Sequence, residues 1–354
     1  MRTYLEDLIY RLSETSEVRD RRFEFIILED KTINAFAAPG GIIGINLGMF
    51  LNTEREGELA SVMCHELAHL SQRHFARSQN RNSPLANALM ILGSIAVAAA
   101  SRNPEAILIA PAAMQQMSIN YTRSNEKEAD RIGFNNLVKA GFDPNDMTMM
   151  FQRMQDKYQN EDSEQFSYLM THPLPSERLT DMRIRADGLK NNSKNSFRDN
   201  LDFYLMQKRA QVWAEKDIKE LVNRFKKNLK SQNKNTEVSN RYGLSLAYKK
   251  NKDFEKSFGI LRELIKEIPN NLVLESSLME LHVAAENYFE AISLGKNILE
   301  IHENNYSASM LLADAYIENE QSEMAEKLLK FLSKDRQTDP NVWYKLAEAQ
   351  GLSG

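Results

Sequence analysis

At 354 residues the chain exceeds what one ordinary hydrophobic core organises, so two domains are expected, and an apolar share of 42% is enough to build both. Lys and Arg total 45 against 49 Asp and Glu, a net charge of −4, and the lack of a basic surplus argues against nucleic acid as a partner. A single cysteine, Cys64, excludes an intrachain disulfide.

Residues 1–14 read as an amphipathic helix. Its polar opening has no apolar core of leader length, so the chain is expected to be cytoplasmic or to have lost a leader upstream of this numbering. Arg22 to Leu28 alternates around Phe23, Phe25 and Ile27 and predicts a strand. Ile33–Ala37 predicts a second, Pro39-Gly40-Gly41 a turn, and Ile42–Ile45 a third. Thr53 with Glu56 three residues on has the form of a capping box, opening a long helix over about 54–77. Further helices are expected over about 84–100, 104–140, 145–158 and 175–187. The apolar run from Pro84 to Ala100 is Ala-rich and slightly short for a membrane span. The stretch 84–116 is therefore read as core helices, as a lid, or as a peripheral contact with a membrane or client.

Composition turns polar and aperiodic at 188–196, which places a boundary between a first domain over 1–188 and a second over 197–354. The second part repeats every 34 residues: Leu244, Leu278, Leu312 and Leu346 are in register, as are Tyr248, His282 and Tyr316, and Ser257, Ala291 and Ala325. Small residues recur where helices must approach and bulky ones where a groove must be filled, a pattern that resembles tetratricopeptide repeats. A more diverged unit is expected over about 200–232, and the last unit stops after its first helix, as in a fragment of a longer chain.

The chemistry lies in His65-Glu66-Leu67-Ala68-His69. Two histidines four apart on a helix project from one face and can converge on one ion at about 2.0–2.1 Å. Glu66 sits about 100° round the helix, poorly placed as a ligand but able to take a proton from a water that zinc has acidified. Cys64, on the other side of His65, reads as a packing residue. A catalytic zinc needs a third protein ligand, and Glu126-Lys127-Glu128-Ala129-Asp130 is the best candidate. Glu126 would bind the metal while Asp130, one turn on, would hold a ligand histidine in its tautomer. Glu128 points elsewhere and is expected in solvent. On residue types alone the same segment reads equally as a charged surface helix. His74, His282 and His302 have no partner at ligand spacing and are read as structural.

His65–His69 followed by Thr122–Asp130, with Asn34–Ala37, Pro39-Gly40-Gly41 and Thr171–Arg178, resembles the zinc metallopeptidase family of the heat-shock membrane protease HtpX and the CAAX prenyl protease. It resembles still more the periplasmic branch in which tetratricopeptide repeats follow the peptidase domain. The resemblance implies a zincin-type α+β domain of gluzincin type, mainly α with a small β-sheet, and an all-α solenoid behind it. It implies one zinc ion on His65, His69 and Glu126, with Glu66 as catalytic base and Asp130 supporting a ligand. His172 would either cap the metal as a fourth ligand that keeps the enzyme quiet or lie near it. It further implies periplasmic endopeptidase action on unfolded or stalled proteins, and repeats that bind the outer-membrane β-barrel assembly machinery and its barrel clients. Substrate is expected to lie extended beside an edge strand, either Ile33–Ala37 or Ile42–Ile45. The rival reading is an adaptor or chaperone whose repeats do the work beside an inactive peptidase domain.

Overall fold

The computed structural model describes residues 1–79, 123–160, 168, 172–173, 176–189, 200–230 and 233–353. The expected helix over 84–100, the lid or membrane role given to 84–116, and most of the segment 188–196 lie outside them. The chain divides into two units, Arg2–Asn200 and Leu201–Gly354. Among the described residues no helix is long and apolar enough to cross a membrane.

The first unit opens with α1 (Arg2–Thr15), whose Tyr4, Leu5, Leu8, Ile9 and Leu12 share one face and are all buried. Three strands follow: β1 (Glu24–Leu28), β2 (Ala35–Ala38) and β3 (Ile42–Asn46). They lie in the order β1-β3-β2, with β1 parallel and β2 antiparallel to β3. The β2–β3 connection turns through Gly40 and Gly41 at φ of 90° and 81°, and a Cβ on Gly41 would sit 2.1 Å from the Arg22 carbonyl oxygen. Every residue of β3 is buried. The strand at Ile42–Ile45 is thus the middle one, which removes it as a substrate edge and leaves β2 for that role.

After β3 the chain forms α2 (Leu47–Asn52), α3 (Glu56–Ser71) and α4 (His74–Gln79). The expected capping box is absent. Thr53 closes α2 instead, its hydroxyl donating to the Met49 carbonyl at 2.9 Å. Glu56 accepts hydrogen bonds from Asn200, Tyr4 and Arg11 at 2.6, 2.8 and 3.3 Å. The loop is tied instead by Glu58, which accepts the Glu54 N–H at 2.7 Å. The single long helix expected over 54–77 is also broken, because Arg73 takes φ of 52° and separates α3 from α4.

Helices α5 (Arg123–Lys139), α6 (Asn145–Asn160) and α7 (Ser176–Leu189) complete the first unit. From Glu56 to His69 every residue of α3 is buried, and α5 and α6 pack along it. At the closest approach to α5 a Cβ on Gly133 would lie 3.0 Å from the Cα of His65. The bare backbone there lets two carboxylates of α5 reach the histidines of α3.

The described residues of the second unit form helices joined by short turns: α8 (Leu201–Ala214), α9 (Ile218–Lys227), α10 (Lys234–Lys250), α11 (Phe254–Glu267), α12 (Leu272–Ala284), α13 (Tyr288–Ile301), α14 (Tyr306–Glu318), α15 (Ser322–Asp335) and α16 (Pro340–Leu352). From α9 onward each helix packs on the next. The repeat extends to the backbone: Lys252, Glu286 and Glu320 are left-handed at φ of 61°, 61° and 56°, and Asn270 and Asn304 at 61° and 59°. Ser257, Ala291 and Ala325 are fully buried at the expected small positions. Side chains of Asn233, Asn271 and Asn305 cap the first helix of successive pairs, accepting from the backbone N–H three residues on.

Candidate metal centre

His65 and His69 stand one turn apart on α3, and Glu126 comes from α5. With His172, from the segment before α7, they bring four ligand atoms within 4.8 Å of one another, and all four side chains are buried. His65 Nε2 is 2.9 Å from His69 Nε2, 3.4 Å from His172 Nδ1 and 3.4 Å from Glu126 Oε2. Glu126 Oε1 is 3.3 Å from His69 Nε2 and 3.2 Å from His172 Nδ1. A tetrahedral ion with bonds of about 2.0–2.1 Å has ligand–ligand edges of roughly 3.3–3.4 Å. Three imidazoles turning ring nitrogens towards a buried carboxylate at that spacing fit a divalent cation.

Around these atoms lies a layer of braces. Asp130, one turn after Glu126, places Oδ1 3.0 Å from His65 Nδ1, off the line of a straight hydrogen bond. Arg178 of α7 grips Asp130 with Nε and Nη2 at 2.6 and 2.7 Å, and its Nη1 lies 2.9 Å from Glu126 and 2.6 Å from the Pro173 carbonyl. It therefore ties the chain next to His172 to the two carboxylates of α5. On the far side, His69 Nδ1 is 2.8 Å from His74 Nδ1, and His74 Nε2 is 3.0 Å from Glu128. Glu128 also accepts from Arg77 at 3.1 Å. This corrects two expectations, since His74 and Glu128 are partners behind His69. Arg178, Tyr168 and His74 had no spacing signal of their own, because Arg178 and Asp130 are 48 positions apart, Tyr168 and Glu66 are 102 apart, and His74 meets His69 across a helix break.

Glu66 is buried beside the cluster, its Oε1 3.7 Å from His172 Nε2 and its Oε2 accepting the Ala37 N–H of β2 at 3.2 Å. The Tyr168 hydroxyl lies 3.4 Å from Oε1, and the Tyr168 ring stacks on His172 at 4.6 Å. Since the Ala37 N–H is given to Glu66 and not to β3, the open edge of β2 borders the site.

Burial pushes the Glu66 carboxyl above its usual range against the pull of His172 and His65, as suits a proton acceptor near neutral pH. Burial pulls His65 down, yet Asp130 and Glu126 lift it to about 9. His69, desolvated and next to His65, is held well below its ordinary value. Burial would raise Glu126, but His172, His65 and His69 hold it far below the usual carboxylate range. The cluster thus draws positive charge to one point, a demand a metal ion meets. Cys64 is buried with its thiol pushed up by desolvation, so it is neither a ligand nor a nucleophile here.

Residues 1–186 match the model for peptidase family M48, and residues 282–349 match a tetratricopeptide repeat model. The chain belongs to peptidase family M48. A protein of Vibrio cholerae, provisionally described as a β-barrel assembly-enhancing protease, is 35% identical over 99% of this chain and 73% of its own length. The β-barrel assembly-enhancing protease of Escherichia coli is 31% identical over 98% of this chain and 71% of its own length. A mitochondrial metalloendopeptidase of Schizosaccharomyces pombe is 28% identical over 50% of each chain. This M48 chain is accordingly a metallopeptidase with a small α+β catalytic unit and helical repeats behind it. Its family brings a catalytic metal, and repeats of this kind bind other proteins.

Proposed function

We propose that the chain is a zinc-dependent endopeptidase with a peptidase domain over 1–188 and a repeat domain over 197–354. The supporting observation is the convergence of His65, His69, Glu126 and His172 at tetrahedral spacing in a buried pocket. His65, His69 and Glu126 would hold zinc, whose contribution when bound is to polarise a carbonyl and acidify water. Glu66 takes a proton from the attacking water and returns it to the leaving amine. Substrate lies extended along the open edge of β2, which favours unfolded chains over folded ones. Asp130, held by Arg178, keeps His65 in its ligating tautomer.

His172, beside the other three ligand atoms, would take the fourth corner and keep the enzyme quiet. Tyr168 and the Arg178 bond to Pro173 hold it there. Activity then requires His172 to leave that corner.

By likeness to relatives named for β-barrel assembly, the substrates are stalled or misassembled outer-membrane proteins. The site of action is the periplasm, and the repeats engage the assembly machinery. The deciding experiment measures zinc content and cleavage of an unfolded protein together. The parent should carry one zinc per chain, Glu126→Ala should lose it, and Glu66→Gln should keep it while cleavage stops. His172→Ala should cleave faster than the parent. A Glu66→Gln chain that still sustains full cellular function would shift the role to the repeats.

A further inference from the structure

His69 turns Nε2 towards His65 and Glu126, at 2.9 and 3.3 Å. If that nitrogen offers its lone pair to an ion, the ring proton must sit on Nδ1. Nδ1 lies 2.8 Å from Nδ1 of His74, and two imidazole nitrogens at that distance share one proton. With His69 as donor, His74 Nδ1 is the acceptor and its own proton is on Nε2. That nitrogen is 3.0 Å from Glu128 Oε2, which accepts it. Glu128 in turn receives the Arg77 guanidinium at 3.1 Å. Each bond then has one donor and one acceptor. In the reverse assignment His74 donates to His69, the His69 proton moves to Nε2, and a proton is aimed at the place a metal must occupy. A doubly protonated His74 has the same defect.

The backbone provides for this contact. Continued helically from His69, a residue five positions on would lie roughly 140° round the axis, away from the first ring. The left-handed Arg73, at φ of 52°, breaks the helix and folds His74 back beneath His69. His74 is fully buried, whereas the Glu128 and Arg77 side chains behind it are 30% and 51% exposed. The imidazole carries the influence of a rim carboxylate inward without adding another negative charge beside Glu126, Asp130 and Glu66.

We infer that His74 is a positioning residue for the metal centre, a neutral relay through which Glu128 fixes His69 in the tautomer that binds metal; this rests on the metal reading above. The test titrates Zn2+ into the full chain against a chromophoric chelator and follows thermal unfolding of the metal-free protein by circular dichroism. His74→Phe should weaken Zn2+ binding about 10–100-fold, the usual cost of losing such a partner. His74→Gln, whose amide can accept from His69 and donate to Glu128, should restore most of that affinity. Metal-free unfolding should be nearly unchanged. A Zn2+ affinity of His74→Phe equal to the parent's would overturn the inference. So would a loss shared equally by His74→Gln with a matching fall in metal-free stability, since that marks a packing role. Should His74→Phe not fold, Glu128→Ala at the rim carries the test: weaker Zn2+ binding is expected, and unchanged affinity refutes the relay. A parent chain that takes up no Zn2+ would refute the metal reading itself.

Discussion

The two units bury different kinds of polar group. In the first, the polar interior includes Glu56, Glu58, His65, Glu66, His69, His74, Glu126, Asp130, Asp146, His172 and Arg178. In the second, the described interior holds mostly serines such as Ser239, Ser277 and Ser333, whose hydroxyls donate back to carbonyls of their own helices. A buried hydroxyl satisfied within its helix costs little. A buried carboxylate or imidazole must find a partner of opposite charge or a metal, and it persists only where the surrounding fold supplies one. A charged network of the second unit, Arg209 with Glu280, Lys249 and Tyr242, is only partly buried and pairs its charges within itself. The second unit thus carries little buried charge, whereas the first buries several charged clusters, the densest being that of His65, His69, Glu126, Asp130, His172 and Arg178.

Five substitutions test that contrast. Glu66→Gln should lower peptide cleavage about 10²–10⁴-fold, the usual worth of a general base, with zinc content unchanged. Equal activity would move the chemistry elsewhere. Arg178→Leu strands Asp130 and Glu126 without their cation, and should destabilise the first unit by about 3–5 kcal/mol. Hydrogen exchange read unit by unit should show faster exchange in α3 and α5, with the repeats unaffected. Gly133→Ala pushes α5 from α3 at a 3.0 Å contact with His65, for a cost of about 1–3 kcal/mol and weaker zinc binding.

Asp146→Asn tests a charge that the fold disfavours. Burial, opposed by Arg55, raises this carboxyl to about 7. A folded-state pKa above the unfolded value means that stability is lost as pH climbs from about 4 to 7. The substitution should thus stabilise by about 1–2 kcal/mol at pH 8, less than the full shift would give because a buried amide is itself costly to desolvate. At pH 5 the gain should be smaller, and a larger effect there than at pH 8 would contradict the assignment. Asn305→Ala removes one repeated cap and should cost about 1 kcal/mol, read as faster exchange confined to α14 and its neighbours.

Local order made much of this molecule legible. The 34-residue register of the repeats, the helix carrying His65 and His69, and the pairing of Glu126 with Asp130 one turn on are short-range patterns, each set by helical geometry. Chain order alone could not say that β3 would be the central strand, because Ile33–Ala37 and Ile42–Ile45 are both short and mainly apolar and pairing is settled by what covers each edge. Nor could it say that Thr53 would end one helix and not begin the next, since a capping hydroxyl serves either end until the backbone chooses. Tertiary structure alone decided that Arg178 joins Asp130 to Pro173, and that a left-handed turn at Arg73 carries His74 behind His69. Spacing in sequence encodes contacts within an element, whereas the braces of this site come from separate elements whose approach is set by packing, at Gly133 above all.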